Sequence, residues 1–140
     1  MKALFSLALI LSVSGKTFID SRVEKYVEDY FEQLQENGIV IPPQFSVQII
    51  VSKKHMTYNA VGMAFGMFTD NIVMIALSPE IFFMDVNQIR WTIYHELTHD
   101  VFDIRHESGL FLMRPVLPEY VTSYDLERSF CQLADYLSER

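Results

Sequence analysis

One stretch constrains the fold of this chain more than any other. From Val86 to about Phe102, Ile89, Ile93, Leu97 and Val101 recur at intervals of four, which puts them on one face of an α-helix. Trp91, Tyr94 and Phe102 add bulk beside that stripe. Asp85 with Gln88 is the pattern of a capping box, so the helix has a defined start. A helix this apolar must be covered by other elements.

Those elements can be read on either side of it. Phe18 to Asn37 reads as an amphipathic helix, with Phe18, Ile19, Val23, Tyr26, Val27, Tyr30, Phe31 and Leu34 at helical spacing and Asn37-Gly38 as its end. Pro42-Pro43 forces an extended connection. Phe45 to Ser52 alternates and is rich in β-branched residues, as in a strand. Val61 to Phe68 is a glycine-interrupted apolar stretch that suits a bent or edge strand, with Met63, Phe65, Met67 and Phe68 as core residues. Thr69-Asp70-Asn71 signals a turn, and Ile72 to Leu77 is a second clear strand. Ser78-Pro79-Glu80 has the form of a helix N-cap followed by proline. An irregular stretch holds Gly109, Pro115 and Pro118, and Tyr124 to Ser138 closes the chain as a helix burying Leu126, Phe130, Leu133 and Leu137. The order predicts an α+β fold with a small sheet of two to four strands against helices.

Composition excludes some functions. The chain has 140 residues, half of them apolar, which suits one domain with a real core. Its net charge of -7 argues against nucleic acid, since phosphate recognition needs clustered basic residues. The small cluster Lys53-Lys54-His55 reads as a surface loop. Cys131 has no second cysteine to pair with and is expected as a small buried residue.

The N-terminus reads as an address. Lys2 precedes an apolar run from Ala3 to Val13, and Ser12, Ser14 and Gly15 are small, which is the pattern of a secretory signal over residues 1–15. The run is well short of the roughly 20 residues of a membrane span. The expectation is a secreted or periplasmic protein whose single domain covers 16–140.

The chemistry lies in His95-Glu96-Leu97-Thr98-His99. Histidines four apart leave one helix face about one turn apart, so both imidazoles can hold one Zn²⁺. Glu96 is rotated by about 100° from that face, where it can act as general base on a metal-bound water instead of as a ligand. A catalytic zinc takes a third protein ligand. The candidates are His106, Asp103, Glu119 and Glu127. On an unbroken helix, His106 would stand about 16.5 Å from His95, so the helix must stop after Phe102 and the chain must turn back. Asp103 suits that turn through its tolerance of left-handed backbone, and Gly109 allows a further reversal.

Thr92 to Val101, taken with His106-Glu107-Ser108 and Leu112-Met113-Arg114-Pro115, resembles the zincin metallopeptidases, and more narrowly their metzincin side. Asp100 departs from that pattern by its charge. The third histidine comes one position late, with Arg105 in its usual place, and Phe102 or Asp103 stands where a turn glycine belongs. The spacing is closer to that of small bacterial and phage metallopeptidase-like proteins. The resemblance, which spans about Trp91 to Pro115, implies a minimal zincin that hydrolyses protein or peptide substrates. In it, His95, His99 and His106 bind zinc, Glu96 is the catalytic base and Met113 is the turn methionine. It also implies that a sheet edge, Val61 to Phe68 or Ile72 to Ala76, binds an extended peptide, and that Tyr120 or Tyr124 is available to the oxyanion. Two other readings stand beside it. One is a degenerate zincin that binds zinc or peptide without cutting, and the other is an envelope protein retaining residues 1–15.

Overall fold

A computed structural model describes residues 18–41, 46–54, 56, 60–65 and 72–140. The expected signal segment, Pro42-Pro43, His55, Met67, Phe68 and the turn at Thr69-Asp70-Asn71 lie outside the described residues.

The fold is α+β, with three helices and a four-stranded mixed sheet. In chain order the elements are β1 (Phe18–Ile19), α1 (Glu24–Glu36), β2 (Ser46–Val51), β3 (Gly62–Ala64), β4 (Ile72–Leu77), α2 (Val86–Phe102) and α3 (Ser123–Ser138). Three short 3-10 turns, Pro79–Phe83, His106–Ser108 and Phe111–Met113, join them. Strand order is β1-β2-β4-β3, with β1 and β4 parallel to β2 and β3 antiparallel to β4. Ile72 to Ala76 is therefore an interior strand, covered on both sides. The edge expected at either of two stretches is β3 alone of the pair.

The first helix starts later than its apolar pattern suggests. Phe18 and Ile19 pair with Gln48 and Ile49 as a strand. Asp20 then diverts the chain, because its carboxylate accepts from the Arg22 N–H and from the Arg22 guanidinium, both locally. Such aspartate bonds compete with helix continuation. Downstream of that break Val27, Tyr30, Phe31 and Leu34 form the buried face of α1.

Helix α2 occupies the expected range, and Asp85 and Gln88 make the capping box in both directions. Its stripe of Ile89, Ile93, Leu97 and Val101 is buried, as are Trp91, Tyr94 and Phe102. The rings of Tyr94 and Phe130 lie 5.6 and 5.7 Å from that of Tyr30, tying α1 to α2 and α3. Thr98 donates to the Tyr94 carbonyl at 2.7 Å, which leaves its oxygen to accept from the Tyr30 hydroxyl at 2.9 Å. The back of the histidine-bearing helix is thus fixed by a satisfied buried polar pair. Cys131 is exposed, not buried, and its thiol lies 3.6 Å from Asn37 Oδ1. It follows Phe130, which faces the core, and a step of one residue turns the helix by about 100°.

Candidate metal centre

The turn after α2 decides the site. Helix α2 ends at Phe102, and Asp103 takes φ 52 and ψ 47, the one non-glycine residue with positive φ among those described. This left-handed step reverses the chain. Buried Ile104 anchors the new direction, and Gly109, at φ 83, makes the second reversal. A helix end also leaves carbonyls without partners. Here Arg140 donates to the Phe102 carbonyl at 2.8 Å and the Asp103 carbonyl at 3.4 Å.

The reversal carries His106 back to the helix. The Nε2 atoms of His95, His99 and His106 stand 3.1, 3.2 and 3.0 Å apart in a triangle. His95 is buried, His99 half-buried and His106 exposed, so the triangle is open on one side. Two of the rings are held from behind. His95 Nδ1 lies 2.6 Å from the Leu112 carbonyl and His99 Nδ1 lies 2.7 Å from the Ile104 carbonyl. A carbonyl only accepts, so both Nδ1 atoms carry the proton and both Nε2 atoms present lone pairs. Such lone pairs repel at this separation unless a cation lies among them.

A proton is a poor candidate for that cation. Burial pushes the His95 pKa down to about 4, reinforced by His99 and His106 and opposed by the Leu112 carbonyl. Burial is also the main cause that lowers His99. A metal ion fits better. Nitrogens about 2.1 Å from one ion at tetrahedral angles stand about 3.4 Å apart, close to the observed triangle. The three histidines are therefore close enough to bind one metal ion. The carbonyl bonds behind the rings are the usual outer support of histidine ligands.

Of the alternatives for the third ligand, Asp103 forms the turn, and Glu119 and Glu127 are exposed outside the cluster. Met113 is buried and directly follows Leu112, whose carbonyl orients His95, so the methionine-containing turn does abut this ligand. Tyr120 and Tyr124 are exposed and line no part of the cavity at the site.

Glu96 lies beside the triangle, with Oε1 4.0 Å from His95 Nε2. Burial, helped by the negative charge of Asp100, raises its pKa to about 8, while the Ala64 N–H donates to it and opposes the rise. Strand β3 thus clamps the carboxylate, and Gly62 makes this possible. A Cβ at Gly62 would lie 3.0 Å from Glu96 Cγ and 3.3 Å from its Oε1.

Asp100 is buried, and its carboxylate accepts from the Met74 N–H at 3.1 Å. Its charge is a structural bond between α2 and β4. Trp91 stacks on His95 with ring centroids 4.6 Å apart and fixes the other side of that ligand. Gly62, Trp91 and Arg140 were not singled out from the sequence as site residues. A glycine inside a strand pattern was the available signal for the first, since it often marks close approach of another group.

A cavity of about 930 Å³ opens over the centre. Its lining joins β3, the histidine face of α2, the reversal from Asp103 to His106 and the segment from Pro115 to Leu117. No family model, curated protein or solved structure matches the chain.

Proposed function

We propose that this protein is a secreted zinc-dependent peptidase whose metal is held by His95, His99 and His106 and whose general base is Glu96. The observation that carries the reading is the triangle of imidazole lone pairs with a buried carboxylate next to it and an open cavity in front of it. Three histidines without a fourth ligand among the described residues are the donor set of catalytic zinc, whereas structural zinc has a closed shell of four. The zincin resemblance over Trp91 to Pro115 points the same way, and the N-terminal pattern supports secretion.

Bound at this triangle, zinc would polarise a carbonyl and acidify a water. Glu96 takes the proton of the attacking water and passes it to the leaving amine. The Ala64 N–H and the absent side chain at Gly62 fix where the carboxylate points. The edge strand β3 lines the cavity and offers backbone groups to an extended substrate, as in strand addition.

Glu96→Gln tests this reading. The variant keeps the shape of the side chain and loses its proton chemistry. It should bind one equivalent of zinc and hydrolyse peptides at least about a hundredfold more slowly, the scale of general-base catalysis. Wild-type rates in this variant would refute the role of Glu96. Equal zinc content with no hydrolysis by either protein would leave a metal-binding module.

A further inference from the structure

A cation with no side-chain partner among the described residues lines the cavity at this centre. Arg105 immediately precedes the ligand His106 and lines the cavity, and it is the one Lys or Arg among the lining residues. Arg22, Arg90, Arg114, Arg128 and Arg140 each place a guanidinium over an aromatic ring. Arg22, Arg90 and Arg140 also donate hydrogen bonds. Among the described residues, the side chain of Arg105 makes no such contact and no ion pair. Its backbone, by contrast, is engaged, since its carbonyl accepts from the Ser108 N–H at 3.2 Å. The arginine is thus fixed at its root and free at its tip.

The setting gives that freedom a direction. The protein carries a net charge of -7, so a lone guanidinium in the lining of this cavity is a local exception. Of the three carboxylates in the lining, Glu96 and Asp100 accept from the backbone of β3 and β4, and no ion pair joins the third, Asp103, to Arg105. Elsewhere the lining is largely apolar, with Val61, Met63, Phe65 and Val116 around the opening. An arginine fork matches a carboxylate in two hydrogen bonds, and an apolar surround strengthens the pairing.

We propose that Arg105 is the specificity-determining residue of this site and recognises a substrate carboxylate close to the scissile bond, flanked by apolar side chains. The inference rests on the peptidase reading. The carboxylate has two sources in a peptide, the C-terminus and an Asp or Glu side chain, and both present the same group to the guanidinium.

The test uses the full chain and three matched apolar peptides. One is amidated and without acid, one has a free C-terminal carboxylate, and one is amidated with a single internal Glu. Binding is read by anisotropy of labelled peptide on zinc-loaded Glu96→Gln, which needs no turnover, and kcat/KM is read on the wild type. The acidic peptide should bind about five- to tenfold tighter than the neutral one, the range for an ion pair in a partly exposed cleft. Arg105→Ala should erase that preference and leave affinity for the neutral peptide unchanged, and Arg105→Glu should invert it. A preference for the free C-terminus assigns that source, and one for internal Glu assigns the side chain. In the Arg105-bearing protein the preference should also shrink as salt rises from about 0.05 to about 0.5 M, a readout that needs no variant at this position. An equal response to all three peptides, or a preference that survives Arg105→Ala, overturns the inference. Hydrolysis of none of the peptides with the binding preference intact overturns the peptidase reading and leaves carboxylate recognition standing.

Discussion

Gly62→Ala perturbs the carboxylate of Glu96, the proposed general base, without touching the three histidines. Gly62 has no positive φ, so alanine meets no backbone strain there. The new methyl would instead lie 3.0 Å from Glu96 Cγ, 3.3 Å from Glu96 Oε1 and 3.3 Å from Leu77 Cδ2. Ordinary carbon contacts begin near 3.5 Å, so Glu96 must retreat by about half an ångström or β3 must lift. Either response stretches the bond from the Ala64 N–H. Displacements on this scale cost roughly 10- to 100-fold in rate when they misplace a reacting group. Overpacking of this kind destabilises by about 1–3 kcal/mol. The expected result is kcat reduced about 10- to 100-fold, one zinc still bound and a modest fall in Tm. Steady-state kinetics on an apolar peptide, zinc analysis and thermal unfolding read these separately. Gly62→Ala combined with Leu77→Val opens only the contact with Leu77 and leaves the one with Glu96, so it should not recover kcat. Full activity in Gly62→Ala would refute the view that β3 positions Glu96. Loss of zinc would show that the glycine serves the ligands instead.

Other consequences are open to measurement. Asp103→Val forces a β-branched residue into left-handed backbone, which costs about 1–2 kcal/mol and should weaken zinc binding through His106, whereas Asp103→Gly should be tolerated; chelator competition reads the difference. Asp100→Ala leaves the Met74 N–H without its acceptor and should destabilise by about 1–3 kcal/mol in chemical unfolding. The metal-free protein should also show a particular pH dependence. Glu96, raised to about 8, holds a proton in the fold that the unfolded chain has released, so its contribution falls as pH rises from about 4.5 to about 8. His95, lowered to about 4, contributes the opposite slope between about 4 and about 6.5. Below about 6.5 the slope of His95, joined by that of His99, whose pKa burial also lowers, opposes the slope of Glu96. Between about 6.5 and about 8 Glu96 acts alone, and stability should drop by about 2 kcal/mol. A flat profile in that window for wild type, or an unchanged drop in Glu96→Gln, would contradict the assignment.

The sequence makes some of this site legible and hides the rest for physical reasons. Histidines four apart are readable because helix periodicity is a local property, and the capping box at Asp85 and Gln88 fixes the helix start. The turn at Asp103 is readable too, because a ligand 11 residues beyond His95 is out of reach unless the helix breaks. Helical spacing also includes Phe18 and Ile19, whose strand pairing depends on β2, some 30 residues away. The charge of Asp100 looks like a flaw in the motif until β4 supplies the N–H that it accepts. Gly62 shows only as a break in a strand pattern. Its purpose appears when β3 crosses Glu96, and no local rule places those two together. Arg140 likewise serves a turn 37 residues upstream.

The proposed zinc centre of three histidines is open to metal analysis of the purified protein beside His106→Ala. One zinc per wild-type chain and little in the variant is the expected result, because removal of the third imidazole leaves only His95 and His99 four apart on a helix. Zinc absent from both proteins, even after reconstitution, would contradict the account. Undiminished zinc in His106→Ala would contradict the triangle and put another residue in place of His106.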